Sequence, residues 1–228
     1  MAKIKKGILG PLSGKLGPVI GGMWKTIAYI RIAPSRKAKS KRTAGQIATQ
    51  EKMKFINNFL VPFHAYITVG MKNEAASQTE ISAAFSANYH EAIGGTSPAF
   101  SVDYSKFIFS KGILPMVSNM AVTLSNDSLQ ITWESQNEKI ATYNDQLMLV
   151  IYASELNETD GFIGGVNRSA KKCTFQLNEA FKGKSIEVYM SMTSLDRKRI
   201  ANNVHLGSFT ATQNLPEQMP EGLPVVSH

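Results

Sequence analysis

Residues 186–192 read Ile186-Glu187-Val188-Tyr189-Met190-Ser191-Met192. Apolar side chains at the even positions alternate with Glu187, Tyr189 and Ser191. Successive side chains of a strand point to opposite faces, so a period of two marks a strand with one face on a core. In this phase Glu187, Tyr189 and Ser191 point away from that core. The pattern recurs upstream. Leu129, Ile131 and Trp133 alternate with Gln130 and Thr132, and Cys173, Phe175 and Leu177 with Thr174 and Gln176. Leu147 to Tyr152 is apolar throughout, as a central strand is. Ala121–Leu124 precedes this series and Val204, Leu206 and Phe209 close it. Turn signals stand at Asn126-Asp127 and Asp160-Gly161. About seven short strands in roughly 95 residues give the expectation of a β-sandwich of immunoglobulin or fibronectin type III style. Trp133 resembles the buried Trp of fibronectin type III domains. Cys173 falls on the inward phase of its strand and reads as a small core hydrophobe.

Upstream of Pro115, Phe100, Val102 and Tyr104 alternate and Phe107 and Phe109 follow, a β-prone stretch closed by Ser110-Lys111-Gly112, and before Gly95 the pattern is helical. Thr43 and Gln46 form a capping box, with Phe55, Ile56, Phe59, Leu60 and Phe63 following at helical spacing until Pro62 kinks or ends the helix. Ser77 and Glu80 form a second box, before Ile81, Phe85, Tyr89 and Ile93, with Gly94 as the helix stop. Nearer the N-terminus glycine is too frequent for a helix. Leu16–Ile20 and Thr26–Ile32 read as two strands joined by a Gly21-Gly22 turn. The fold class expected is α+β. A basic, glycine-rich hairpin and two-helix domain spans 1–113, a sandwich spans 114–212, and a flexible tail covers 213–228.

The chain has 228 residues and a net charge of +8. Residues 1–50 hold eleven Lys or Arg and no acid, while the remainder holds fourteen basic and seventeen acidic groups, a net of −3. Arg36-Lys37-Ala38-Lys39-Ser40-Lys41-Arg42 is the densest run. Such a cluster repels itself unless an anion or solvent screens it. Lys25, Arg31, Arg36, Lys37, Lys39, Lys41 and Arg42 are therefore the candidate surface for a protein partner or a polyanion. A solvated loop ahead of the helix is the competing reading. No RNP, zinc-finger or helix-turn-helix pattern surrounds Trp24 and Tyr29, so any nucleic-acid contact would be non-specific.

With one Cys there is no disulfide framework. Gly14-Lys15 lacks the glycine spacing and following hydroxyl of a phosphate loop. His64, His90, His205 and His228 stand in no nucleophile or metal motif, and strand alternation turns His205 outward. The expectation is a protein with no catalytic, metal or cofactor site. After Lys3, Lys5 and Lys6 the apolar stretch is broken by Gly10, Pro11 and Ser13, so no signal peptide is read and the expected compartment is the cytoplasm. No apolar run approaches the ~20 residues that span a bilayer.

The stretches Gly14-Lys15-Leu16-Gly17-Pro18-Val19-Ile20-Gly21, Trp24-Lys25 and Tyr29-Ile30-Arg31 carry a resemblance. It continues in Thr43 with Gln46, in Asp103-Tyr104-Ser105, in Ser110-Lys111-Gly112 and in Asn203-Val204-His205-Leu206-Gly207. Together they resemble a domain-of-unknown-function family common in Bacteroidota, over nearly the whole chain to about Thr212. The resemblance implies the layout given above and no activity. The N-terminal segment with its Thr-x-x-Gln helix start is also similar to some phage-type structural proteins. Two functions stay open: a non-catalytic structural or interaction protein that self-associates or docks on a protein partner through the sandwich and the basic N-terminal segment, and a non-specific nucleic-acid or anionic-surface binder using residues 25–42.

Overall fold

A computed structural model describes residues 3–4, 10–24, 27–35, 41–76, 78–125, 128–135 and 140–210. The chain divides into two compact units, Met1–Ile47 and Ala48–His228.

The first unit is a β-arm. β1 (Lys3–Ile4), β2 (Leu12–Leu16), β3 (Val19–Trp24) and β4 (Ile27–Ile32) form one antiparallel sheet in that order. The turn expected at Gly21-Gly22 lies elsewhere, at Gly17-Pro18, where Gly17 takes φ +58. Gly21 and Gly22 sit inside β3 instead. A Cβ on Gly21 would stand 2.2 Å from the Leu12 carbonyl oxygen, and one on Gly22 would stand 2.8 Å from the Tyr29 ring. These glycines serve close approach, which sequence alone does not distinguish from turning.

The helical run starts as expected. Thr43 donates its backbone N–H to Gln46 Oε1 at 3.0 Å, and Gln46 donates its own to Thr43 Oγ1 at 3.3 Å. α1 (Ala44–Leu60) follows. As expected, the regular α-helix is interrupted at Pro62. The proline sits at the start of a 3-10 turn, Val61–Phe63, which feeds directly into α2 (His64–Gly70). A first-turn position needs no amide donor, so proline is tolerated there. α3 (Glu80–Glu91) is capped by Thr79, whose hydroxyl accepts from the Ser82 N–H at 3.1 Å. Ser77, the cap expected from sequence, lies outside the described residues. Gly94, expected as a helix stop, pairs instead in the hairpin of β5 (Ile93–Thr96) and β6 (Ala99–Val102).

Seven strands follow among the described residues: β7 (Ser118–Ser125), β8 (Ser128–Glu134), β9 (Gln146–Ala153), β10 (Glu158–Asn167), β11 (Lys172–Gln176), β12 (Ser185–Thr193) and β13 (Val204–Thr210). They form a four-stranded sheet in the order β10-β9-β12-β13 and a three-stranded sheet in the order β11-β8-β7. The Asn126-Asp127 turn lies outside the described residues. Asp160-Gly161 is not a turn but lies within β10, and the β9–β10 hairpin turns at residues 154–157.

The expectation of an α+β chain ending in an immunoglobulin or fibronectin type III-like sandwich is corrected by what covers the four-stranded sheet. One face carries Leu147, Leu149, Ile151, Ile186, Val188, Met190 and Met192 and packs with Leu129, Ile131, Trp133 and Cys173 of the three-stranded sheet. The opposite face, with Met148, Val150, Tyr152 and Tyr189, packs on Ile56, Phe59, Leu60, Phe63 and Ile67 of the helices. The sheet is therefore the middle of three layers, and its second face is core. Tyr189 and Ser191, outward by alternation, are fully buried, and Glu187 nearly so. Four separate sheets, of four, four, three and two strands, dominate the described residues.

Phe107 and Phe109 pack edge-on against Tyr189 at 5.7 and 5.9 Å between ring centroids. Residues before 113–114, where the sequence places a domain boundary, thus pack against Tyr189 of β12. Two asparagines clamp this strap. Asn88 donates to the Ile108 carbonyl and accepts from its N–H. Asn203 accepts from the Phe109 and Ser110 N–H groups and donates to the Phe107 carbonyl.

Candidate interaction surface

β4 reads Ile27-Ala28-Tyr29-Ile30-Arg31-Ile32, and all six residues are exposed. Ile30 retains 68% and Ile32 79% of its accessible surface. Ile27 and Tyr29 on one phase, and Leu16, Met23 and Trp24 on the neighbouring strands, are exposed as well. Single exposed apolar residues are ordinary, but several large ones gathered on one small sheet mark a contact surface. β4 is also the last strand of its sheet. Natural edge strands are blunted by lysine, proline, bulges or shortness. β4 runs six residues in unbroken register with β3 and carries one charge, Arg31.

Sequence reasoning named both phases of this strand but did not ask what covers them. The usable signal was that residues 27–32 carry large apolar side chains on both phases, with Arg31 the one charge among them.

The basic candidates divide. Arg31 lies opposite Ile20 on β4 with its side chain exposed. Lys41 and Arg42 are exposed immediately before the Thr43 cap. An uncompensated helix N-terminus repels such cations and attracts anions. Lys25, Arg36, Lys37 and Lys39 lie outside the described residues, and so does His228.

His205 is not turned to solvent. Its Nε2 lies 2.7 Å from Glu187 Oε2, and its ring sits 5.0 Å from that of Tyr189. The Ser208 hydroxyl donates to both Glu187 oxygens at 2.8 Å. A slip in register between Val188 and Tyr189 brings these residues together across β12 and β13. The Tyr189 hydroxyl donates to the Tyr104 carbonyl at 3.0 Å. Burial first, and the Glu187 carboxylate next, push the Tyr189 hydroxyl well above the usual phenol range. Residues quoted from Asp103-Tyr104-Ser105 and Asn203–Gly207 thus meet beside Glu187. The serine is spent on the carboxylate and not on the histidine, so this is not the relay that activates a hydroxyl nucleophile.

Cys173 is buried in the core between the sheets, and desolvation raises its thiol. Among the described residues no three His, Cys, Asp or Glu side chains stand together as a metal cluster would. No helix of the described residues is long and apolar enough to cross a membrane.

Comparison with known proteins agrees on one point. No curated protein matches the chain. The family model described as a family of unknown function, DUF6266, matches residues 11–207, from the arm through to the last strand, and the chain belongs to that family.

Proposed function

We propose that this chain is a non-catalytic structural or interaction protein that docks through its N-terminal β-arm. The observation that carries the reading is the exposed edge strand β4, with large apolar side chains on both phases and Arg31 as its one charge. Burying four such large side chains stabilises a contact by about 1.5 to 3 kcal/mol each before ordering costs. A solvated loop has no use for them. The Arg36–Arg42 run then borders a docking element.

A second reading is favoured by the placement of Lys41 and Arg42 at the capped start of α1 and of Tyr29 and Arg31 on one exposed phase. This is binding of nucleic acid or another anionic surface through residues 25–42, with partner affinity that falls steeply with salt.

Light scattering of the full chain, with and without duplex DNA, separates the two. Arm docking expects association without DNA that Ile30→Lys with Ile32→Lys removes. If only DNA changes the particle size, and Arg36, Lys37, Lys39 and Lys41 changed together to Gln abolish that change, the second reading replaces the first.

A further inference from the structure

We infer that the partner of the arm is a second copy of this chain, joined by antiparallel pairing of β4 with β4 centred on Ile30. This rests on the arm-docking reading above and names its occupant. Backbone groups of an antiparallel strand point alternately to its two sides. Ala33 donates its N–H to the Pro18 carbonyl at 2.7 Å, so the odd-numbered residues of β4 bond toward β3. Ala28, Ile30 and Ile32 therefore present their N–H and carbonyl groups to the open edge. Among the described residues no strand pairs with that edge, and such an edge is a template for another strand.

Register follows from symmetry. A two-fold axis normal to the sheet keeps each phase on its own side, so a β4 residue must face one of the same parity. Centred on Ile30, Ala28 faces Ile32 of the other copy and Ile30 faces itself, so every outward amide and carbonyl of the strand finds a partner. Tyr29 then faces Arg31, which sets a cation beside an aromatic ring. Centring on Tyr29 leaves Ile32 without a strand partner and sets Ile27 against the guanidinium. Centring on Arg31 opposes two like charges.

The charge pattern of the strand itself selects a copy over an acidic segment. Arg31 is its single cation, and Ile27, Ala28, Tyr29, Ile30 and Ile32 call for an equally apolar strand. The rest of the arm is uniformly basic, so two arms repel each other until salt screens them. Association then strengthens with salt, opposite to polyanion binding. Paired strands bury less than a standard interface of about 1,600 Å², which places the dissociation constant at roughly micromolar to millimolar.

The test is sedimentation of the full chain combined with oxidative cross-linking. The paired Cα atoms of Ile30 would lie about 5.5 Å apart, within disulfide reach. Expected are a monomer–dimer equilibrium that tightens between about 50 and 500 mM salt, and at least a tenfold weakening by Ile30→Lys. Ile30→Cys is expected to give a rapid disulfide dimer, and Ile27→Cys, which faces residue 33 in this register, is not. The buried Cys173 leaves the unsubstituted chain as the blank. Association that Ile30→Lys abolishes without any Ile30→Cys cross-link overturns the strand pairing and leaves arm docking standing. A chain that stays monomeric to about 1 mM at every salt concentration overturns the self-pairing. DNA-dependent association alone overturns both readings.

Discussion

Asp145 Oδ2 lies 3.2 Å from Arg168 Nε, and both side chains are sealed from solvent. The same carboxylate accepts from the Thr142 N–H and hydroxyl, while Arg168 also donates to the Pro115 carbonyl. The Arg168 carbonyl accepts from the Trp133 indole at 2.9 Å. This polar knot ties the approach to β9, the end of β10 and the chain before β7 to one point. Asp145→Asn keeps the volume and leaves the guanidinium buried beside a neutral group. The expected loss is about 3 to 5 kcal/mol, because an uncompensated interior charge costs more than an ion pair contributes. Urea titration checks it. Glu155→Gln, which breaks the exposed pair with Lys184, is the control and should leave the midpoint unchanged.

Asn203 holds three backbone groups of the Phe107–Ser110 strap, two as acceptor and one as donor. Asn203→Ala strands those groups in a part-buried place. A stability loss of about 1 to 3 kcal/mol is expected, with faster hydrogen exchange at the Phe109 and Ser110 amides. Unchanged exchange there would show that the clamp is dispensable.

A fragment of residues 114–212 bares Met148, Val150, Tyr152 and Tyr189, which the helices cover in the full chain. It is expected to aggregate or to bind a hydrophobic dye, whereas residues 48–212 remain compact. Cooperative unfolding of the shorter fragment as a monomer, by calorimetry and sedimentation, would show that the helical layer is not needed.

Burial pushes the Tyr66 hydroxyl up to about 12, with a further push from the Asp160 carboxylate, and burial followed by Tyr104 does the same for Tyr152. The folded protein keeps these protons where the unfolded chain releases them, near pH 10. The stability that the neutral phenols contribute is therefore fully present below about pH 10 and is lost as pH rises through the window toward 12. Thermal midpoints are expected to decline gently once pH passes the free thiol range, because the buried Cys173 thiol is raised as well, and to fall more steeply beyond pH 10. Tyr152→Phe should soften that fall. A profile identical to the parent's would remove Tyr152 from the account.

Local signals carried the elements. The reciprocal bonds of Thr43 and Gln46 are fixed by residue type and spacing three apart, so the helix start was legible. The β9 strand was legible from its unbroken apolar run, and the core place of Cys173 and Trp133 from alternation.

What only the tertiary structure decided is which faces are covered. Alternation cannot tell a solvated polar phase from one lying beneath helices. Tyr189 is amphipathic enough for either, and the helices settle the matter by packing on it. Gly21 and Gly22 are equally suited to a turn or to close contact, and the approach of the Leu12 backbone and the Tyr29 ring decides for contact. The partnering of Glu187 with His205 depends on a register slip between β12 and β13 that no residue pattern announces. Sequence sets each strand's period and each helix's cap because those are local. Burial of the second face arises from contacts between segments far apart in the chain, which no local pattern encodes.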